Sequence, residues 1–143
     1  LYGQEEGDVD ASAEVSEGAI RRCVELYNRC TGEWLDVCYA ADAEWTELPT
    51  PAAPRGRGGK LAALRAAAER ALALFPDRQL KIRSLVAQGQ LVAAELEWSG
   101  TAAAALGSIK PCTMVRLRIA SFFTVVDGLI TRHTDYCVLD SGE

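Results

Sequence analysis

The feature that most constrains this chain is a change of hydrophobic period at Pro76. Before it, apolar residues recur at helical spacing; after it, they alternate as strands do. Ser16 reads as a helix N-cap with Glu17 in the first turn, and Ile20, Cys23, Val24, Tyr27 and Cys30 follow on one stripe. Thr31-Gly32 breaks that helix, and a shorter one over 33–40 carries Trp34, Leu35, Cys38 and Tyr39. AEWTEL, residues 43–48, alternates and predicts a short strand, and PTPAAPRGRGG reads as a loop. Residues 60–75 give the clearest helix, with Leu61, Leu64, Ala68, Leu72 and Phe75 on one face, and Pro76 ends it. Beyond Pro76, strands are predicted at 79–88, 90–102, 112–126 and 129–139, with tight turns at Gly89 and at Asp127-Gly128. Helices first and an antiparallel sheet last is an α+β pattern, with the helices packed on one face of the sheet.

A chain of 143 residues with 49 % hydrophobic content has the size and apolar surface for one domain with a real core. The expected division is an acidic, disordered leader over 1–15, without the apolar stretch of a signal peptide, and a domain over 16–140. A net charge of −5 argues against nucleic acid as a partner, because phosphate binding needs a concentrated basic surface. No apolar run approaches the roughly 18 residues of a membrane span, so no membrane partner is expected. Five cysteines, Cys23, Cys30, Cys38, Cys112 and Cys137, form neither an even disulfide framework nor a metal-type spacing. They read as reduced, mostly buried thiols, which points to the cytoplasm and to no metal site. RGRGGK, residues 55–60, lacks the Gly-x4-Gly-Lys-Ser/Thr pattern of a phosphate loop and reads as a flexible loop.

The last strand carries the one histidine of the chain, His133, two residues before Asp135. Strand parity puts Thr131, His133, Asp135 and Cys137 on one face and Arg132, Thr134 and Tyr136 on the other. The two side chains would then stand about 7 Å apart at Cβ, with room for a ligand atom or a water between them.

Two motifs carry a family resemblance. CYAADAEWTELPTPAAPRGRGG, residues 38–59, resembles the segment of SnoaL-like proteins and limonene epoxide hydrolases that runs from the second helix through a short strand to a Gly-Arg before the third. VVDGLITRHTDYCVLD, residues 125–140, resembles the last hairpin of SnoaL-like proteins, with its aspartate-glycine turn and His-x-Asp-Tyr. The match spans about residues 16–140 and implies the cone-shaped α+β barrel of the nuclear transport factor two superfamily. That fold implies one deep, mostly apolar pocket of a few hundred Å3. It also implies a pocket-facing Asp135, with Leu117, Ile119 and Ser121 inside and Arg116 and Arg118 outside.

The fold hosts several reactions, so the site must decide among them. Against limonene epoxide hydrolase, Asp135 matches the last-strand acid, while Trp45 and Glu47 stand at the tyrosine and asparagine that hold the water. Leu96 and Trp98 replace that family's Arg-x-Asp pair. Against ketosteroid isomerase, Glu47 stands at the general base, but Cys23 and Ala120 replace the two oxyanion donors. Against SnoaL-like polyketide cyclases, which need one pocket acid/base on a substrate whose carbonyls already acidify the carbon, His133 and Asp135 fit best.

The expectation is therefore a cofactor-free enzyme acting by general acid–base catalysis on a small apolar molecule. The alternatives are a hydrolase with a rearranged water site and a non-catalytic ligand-binding or assembly domain. Asp135, His133 and Glu47 are the catalytic candidates. Trp45, Tyr27, Leu96, Trp98, Leu117, Ile119 and Ser121 are the ligand-binding candidates. A homodimer is expected through the outer sheet face, with Glu95, Glu97, Arg116 and Arg118 at or near it.

Overall fold

The computed structural model describes the backbone of residues 2–50 and 53–140 and the side chains of 11–50 and 53–140. Three helices and six strands follow in the order α1 (Tyr2–Tyr27), α2 (Glu33–Cys38), β1 (Tyr39–Glu47), β2 (Arg57–Lys60), α3 (Leu61–Leu74), β3 (Gln79–Gln88), β4 (Leu91–Thr101), β5 (Met114–Val126) and β6 (Leu129–Leu139). The strands form one curved sheet in the order β2-β1-β6-β5-β4-β3, antiparallel throughout except for the parallel β1–β6 pair. The sheet does not close, because β2 and β3 are its two edges. This is the cone-shaped α+β architecture that the resemblance implies, with an unclosed sheet in place of a full barrel.

The change of period at Pro76 becomes the meander β3–β4–β5–β6. Its final turn places Asp127 at φ 51° and Gly128 at φ 76°, the positive-φ pair that an Asp-Gly hairpin turn adopts. Register shifts in β1, between Ile82 and Ser84, and between Thr124 and Val125 mark bulges that bend the sheet around the helices. Ile20, Leu35 and Ile130 are almost wholly buried where α1 and α2 meet the sheet. Gly100 lies so close to Phe75 and Trp98 that a Cβ there would stand 2.8 Å from each, so only glycine lets those two rings pack edge to face.

Three sequence expectations are revised. Ser16 is not an N-cap, because α1 already runs from Tyr2 through the stretch read as a leader; its hydroxyl instead donates to the Gly89 carbonyl at 2.7 Å and ties α1 to the β3–β4 turn. Tyr39 is not helical: α2 ends at Cys38 and β1 starts at the next residue. RGGK at 57–60 is not loop but the edge strand β2, antiparallel to β1. Its backbone pairing with 44–47 overrides a local composition that reads as a breaker.

On the outer sheet face Phe122, Tyr136 and Val138 are exposed. The charges expected there are matched within the chain, Glu95 by Arg118 at 3.3 Å and Glu97 by Arg83.

Candidate functional site

The parallel pairing of β1 with β6 builds the site. It sets Trp45 beside His133 and Glu47 beside Asp135, while the β5–β6 hairpin sets Phe123 opposite His133 and Ser121 opposite Asp135. Paired residues share a face, so Trp45, Glu47, Ser121, Phe123, His133 and Asp135 all belong to the side that faces the helices.

His133 and Asp135 are close to buried, with side-chain exposures of 12 % and 15 %. They are not separated by a ligand-sized gap, as parity alone suggested. His133 Nε2 lies 2.6 Å from Asp135 Oδ1, because the imidazole leans along the strand toward the acid. Ser121, expected as a pocket wall, donates its hydroxyl to the same oxygen at 2.5 Å and is itself only 1 % exposed. Both hydrogen bonds to this carboxylate among the described residues therefore end on Oδ1. The Trp45 indole N–H is buried without a hydrogen-bond partner among the described residues, yet lies close enough to stabilise the Asp135 charge.

Burial pushes the Asp135 carboxyl up, but the charge and hydrogen bond of His133 and the donors of Ser121 and Trp45 outweigh it. The net result is a carboxyl held below the ordinary aspartate value, a buried acid that stays ionised near neutral pH.

The other nitrogen of His133 is also occupied. Nδ1 lies 2.7 Å from the hydroxyl of Tyr39, a residue that sequence reasoning left in a helix. An aromatic file supports this contact: Tyr27 meets Trp34 at 5.1 Å, Trp34 meets Tyr39 at 5.7 Å, and Phe123 lies against the imidazole at 4.4 Å between ring centroids. Burial pushes the Tyr39 phenol well up, with nearby Cys23 and Asp135 adding to the shift, so it keeps its proton. The one sequence signal for Tyr39 is its place as a polar-tipped aromatic in an apolar stripe, which periodicity counts as core.

Glu47 stands one strand over from Asp135, but a different group holds it. Arg57 of β2 binds both its oxygens, at 2.9 and 3.0 Å, and the guanidinium also lies 5.7 Å over the Trp45 ring. Cys137 lies near both acids; burial first, then Asp135 and Glu47, push its thiol up to about 12, so it is no nucleophile at neutral pH.

The remaining candidates lie in the core or packed against it. Leu96 and Ile119 are buried and Leu117 is half-buried. Trp98 is buried and donates its indole N–H to the Tyr27 hydroxyl at 2.8 Å. Arg78, only 1 % exposed, lies 4.2 Å over the Tyr27 ring and bonds the Ala68 carbonyl at 3.0 Å. A cavity of about 210 Å3 opens beside Trp98, Leu117, Lys81 and Arg116, and another of about 670 Å3 lies along Val86, Leu91, Phe122 and Thr134. Neither is lined by Asp135 or His133. No group of three or more His, Cys, Asp or Glu side chains is arranged to hold a metal among the described residues. No helix of the described residues is long and apolar enough to cross a membrane.

An unclosed α+β cone with a buried acid–imidazole pair on its last strand defines a class, and the comparisons name it. The chain belongs to the SnoaL-like domain family, which matches residues 20–133. The matched segment ends at His133, two residues short of Asp135. IdmH of Streptomyces antibioticus superposes with a TM-score of 0.73 at 23 % identity, over 87 % of this chain and 91 % of that one. A SnoaL-like polyketide cyclase of Agrobacterium tumefaciens gives 0.66 at 17 %, over 88 % and 91 %. An LEH-like epoxide hydrolase of M. tuberculosis gives 0.66 at 16 %, over 88 % and 84 %. At these identities the likeness establishes the fold. No curated protein is significantly similar to the chain.

Proposed function

We propose that the protein is a cofactor-free acid–base enzyme of SnoaL-like type, with Asp135 as the group that takes and returns the proton. The substrate class is a small, largely apolar molecule whose own carbonyls acidify a carbon, and the reaction is an intramolecular aldol closure or a related isomerisation. One observation carries the reading. Asp135 is a buried, ionised carboxylate whose two hydrogen bonds among the described residues converge on Oδ1, which leaves Oδ2 as the basic atom, and the indole N–H of Trp45, close to the same carboxylate, is without a partner among those residues. Such an indole can hydrogen-bond a substrate oxygen while Oδ2 removes the proton from the adjacent carbon. His133 then serves to hold the acid rather than act as a base, since both its nitrogens are engaged. Structural neighbours described as polyketide cyclases are in keeping with this chemistry.

A second reading, hydrolysis of an epoxide, draws on the side-by-side register of Glu47 and Asp135. It requires Glu47 to activate water, and three hydrogen bonds from Arg57 already occupy both its oxygens. The third reading is a domain that binds a ligand without turnover.

The test is proton exchange in D2O, followed by NMR, on a panel of small diketones and β-keto esters. Wild-type protein should speed deuterium uptake at the acidic carbon, and Asp135→Asn should not. Equal uptake with both proteins would overturn the assignment. A homodimer through the Phe122–Tyr136–Val138 face belongs to the same reading. Light scattering that returns a 15.4 kDa monomer at micromolar concentration would remove it.

A further inference from the structure

We propose that Tyr39 is a positioning residue: its hydroxyl donates to His133 Nδ1, fixes the imidazole as the Nε2–H tautomer, and so pins Oδ1 of Asp135 and turns Oδ2 toward the substrate. This rests on Asp135 being the acid/base group, and it assigns a role to a residue 94 positions away from His133 in the chain.

The argument is a proton count. A carboxylate can only accept, so the 2.6 Å contact between Asp135 Oδ1 and His133 Nε2 needs a proton on Nε2. Tyr39 is 4 % exposed, and the contact with Nδ1 at 2.7 Å is its one side-chain hydrogen bond among the described residues. If Nδ1 also carried a proton, the phenol would have to accept from it, and its own buried proton would lack an acceptor. That arrangement carries the cost of an unsatisfied buried donor. With Nδ1 bare, every proton in the chain Tyr39 to His133 to Asp135 has an acceptor, and all the bonds point toward the carboxylate. Which nitrogen of a histidine is protonated is set by the partner of the other one.

The rest of the fold holds Tyr39 in that place. It is the first residue of β1, directly after α2, and its backbone N–H closes that helix on the Leu35 carbonyl. Trp34 packs edge-on against its ring from the same helix. The register shift between Tyr39 and Glu44 brings the start of β1 level with β6 while Trp45 keeps its place beside His133. Ser121 donates to Oδ1 from β5. The oxygen is therefore fixed from two sides, and its rotation about Cβ–Cγ is stopped.

His133 is the one histidine in the chain, so long-range proton–nitrogen NMR on uniformly labelled full-length protein shows a single imidazole. At neutral pH the expected pattern is one protonated nitrogen, Nε2, and one bare nitrogen, Nδ1. Tyr39→Phe should leave the amide spectrum of the fold in place while moving the Nδ1 resonance and mixing the tautomers. Deuterium uptake by the diketone panel should fall about 10- to 100-fold through kcat with KM little changed, the scale of a misplaced catalytic group. A merely structural tyrosine would lower stability and leave the imidazole signals alone. A wild-type imidazole protonated on Nδ1, or on both nitrogens, overturns the proposal without any need for the variant to fold. So does a folded Tyr39→Phe protein with unchanged imidazole signals. The tautomer is read without substrate, so a failure of Asp135 to turn over the diketones leaves this result separate and legible.

Discussion

Asp135 and Glu47 are neighbours on adjacent strands, paired at one register position, and they have opposite fates. Asp135 sits in the middle of the sheet between β1 and β5, where the Ser121 hydroxyl and the His133 imidazole meet it, with the Trp45 indole close by. Glu47 sits at the margin, where β2 ends the sheet, and takes the guanidinium of Arg57 across the last strand pair. A hydroxyl and an imidazole hold Oδ1 in place and leave Oδ2 without a hydrogen bond among the described residues. The guanidinium of Arg57 occupies both oxygens of Glu47. Position in the sheet, not residue type, separates the partners of the two acids.

The largest expected effect tests that separation directly. Asp135→Asn keeps the shape and should lower turnover about 100-fold or more, the usual scale for one general acid–base group, while ligand affinity changes far less. Glu47→Gln should cost no more than a few-fold by the same measure. Equal losses from the two variants would collapse the contrast and favour the hydrolytic reading. Ser121→Ala comes next. Removing a buried hydroxyl that donates to a charged carboxylate should cost about 1.5–3 kcal/mol in urea unfolding. A loss near zero would mean that Oδ1 is not held as described.

A smaller effect concerns acid. The folded-state pKa of Asp135 lies below its unfolded value, so its contribution is fully present above that unfolded value, about 3.9, and is lost as pH falls through the folded one. Wild-type stability should therefore drop more steeply below about pH 4 than that of Asp135→Asn. Parallel curves would contradict the lowered pKa. The smallest effect belongs to the margin. Arg57 is 43 % exposed, so Arg57→Ala should cost at most about 1 kcal/mol after solvent screening, and added salt should shrink that difference.

Much of this was legible beforehand because it depends on local periods. The alternation of ITRHTDYC places His133 and Asp135 on one face whatever the rest of the chain does, and the family resemblance puts Ser121 and Ile119 inward and Arg118 outward. Pro76, Gly89 and Asp127-Gly128 divide helix from sheet and strand from strand through backbone restrictions that neighbours cannot relax. The resemblance to the SnoaL-like family rests on two stretches, residues 38–59 and 125–140.

What the tertiary structure alone decided are contacts between segments far apart in the chain. Tyr39 reads as the end of a helical stripe, and only the parallel pairing of β1 with β6 brings its hydroxyl to His133. Arg57 reads as part of a flexible loop, and only the pairing of β2 with β1 sets its guanidinium on Glu47. The spacing of His133 and Asp135 along the strand left a gap that side-chain rotamers then closed to a hydrogen bond. A sequence carries side-chain parity within each strand, because the backbone fixes it over two residues. It does not carry which strands become neighbours or where their registers slip, because those are settled by packing the whole apolar surface at once, and the chemistry of this site is set by those two choices.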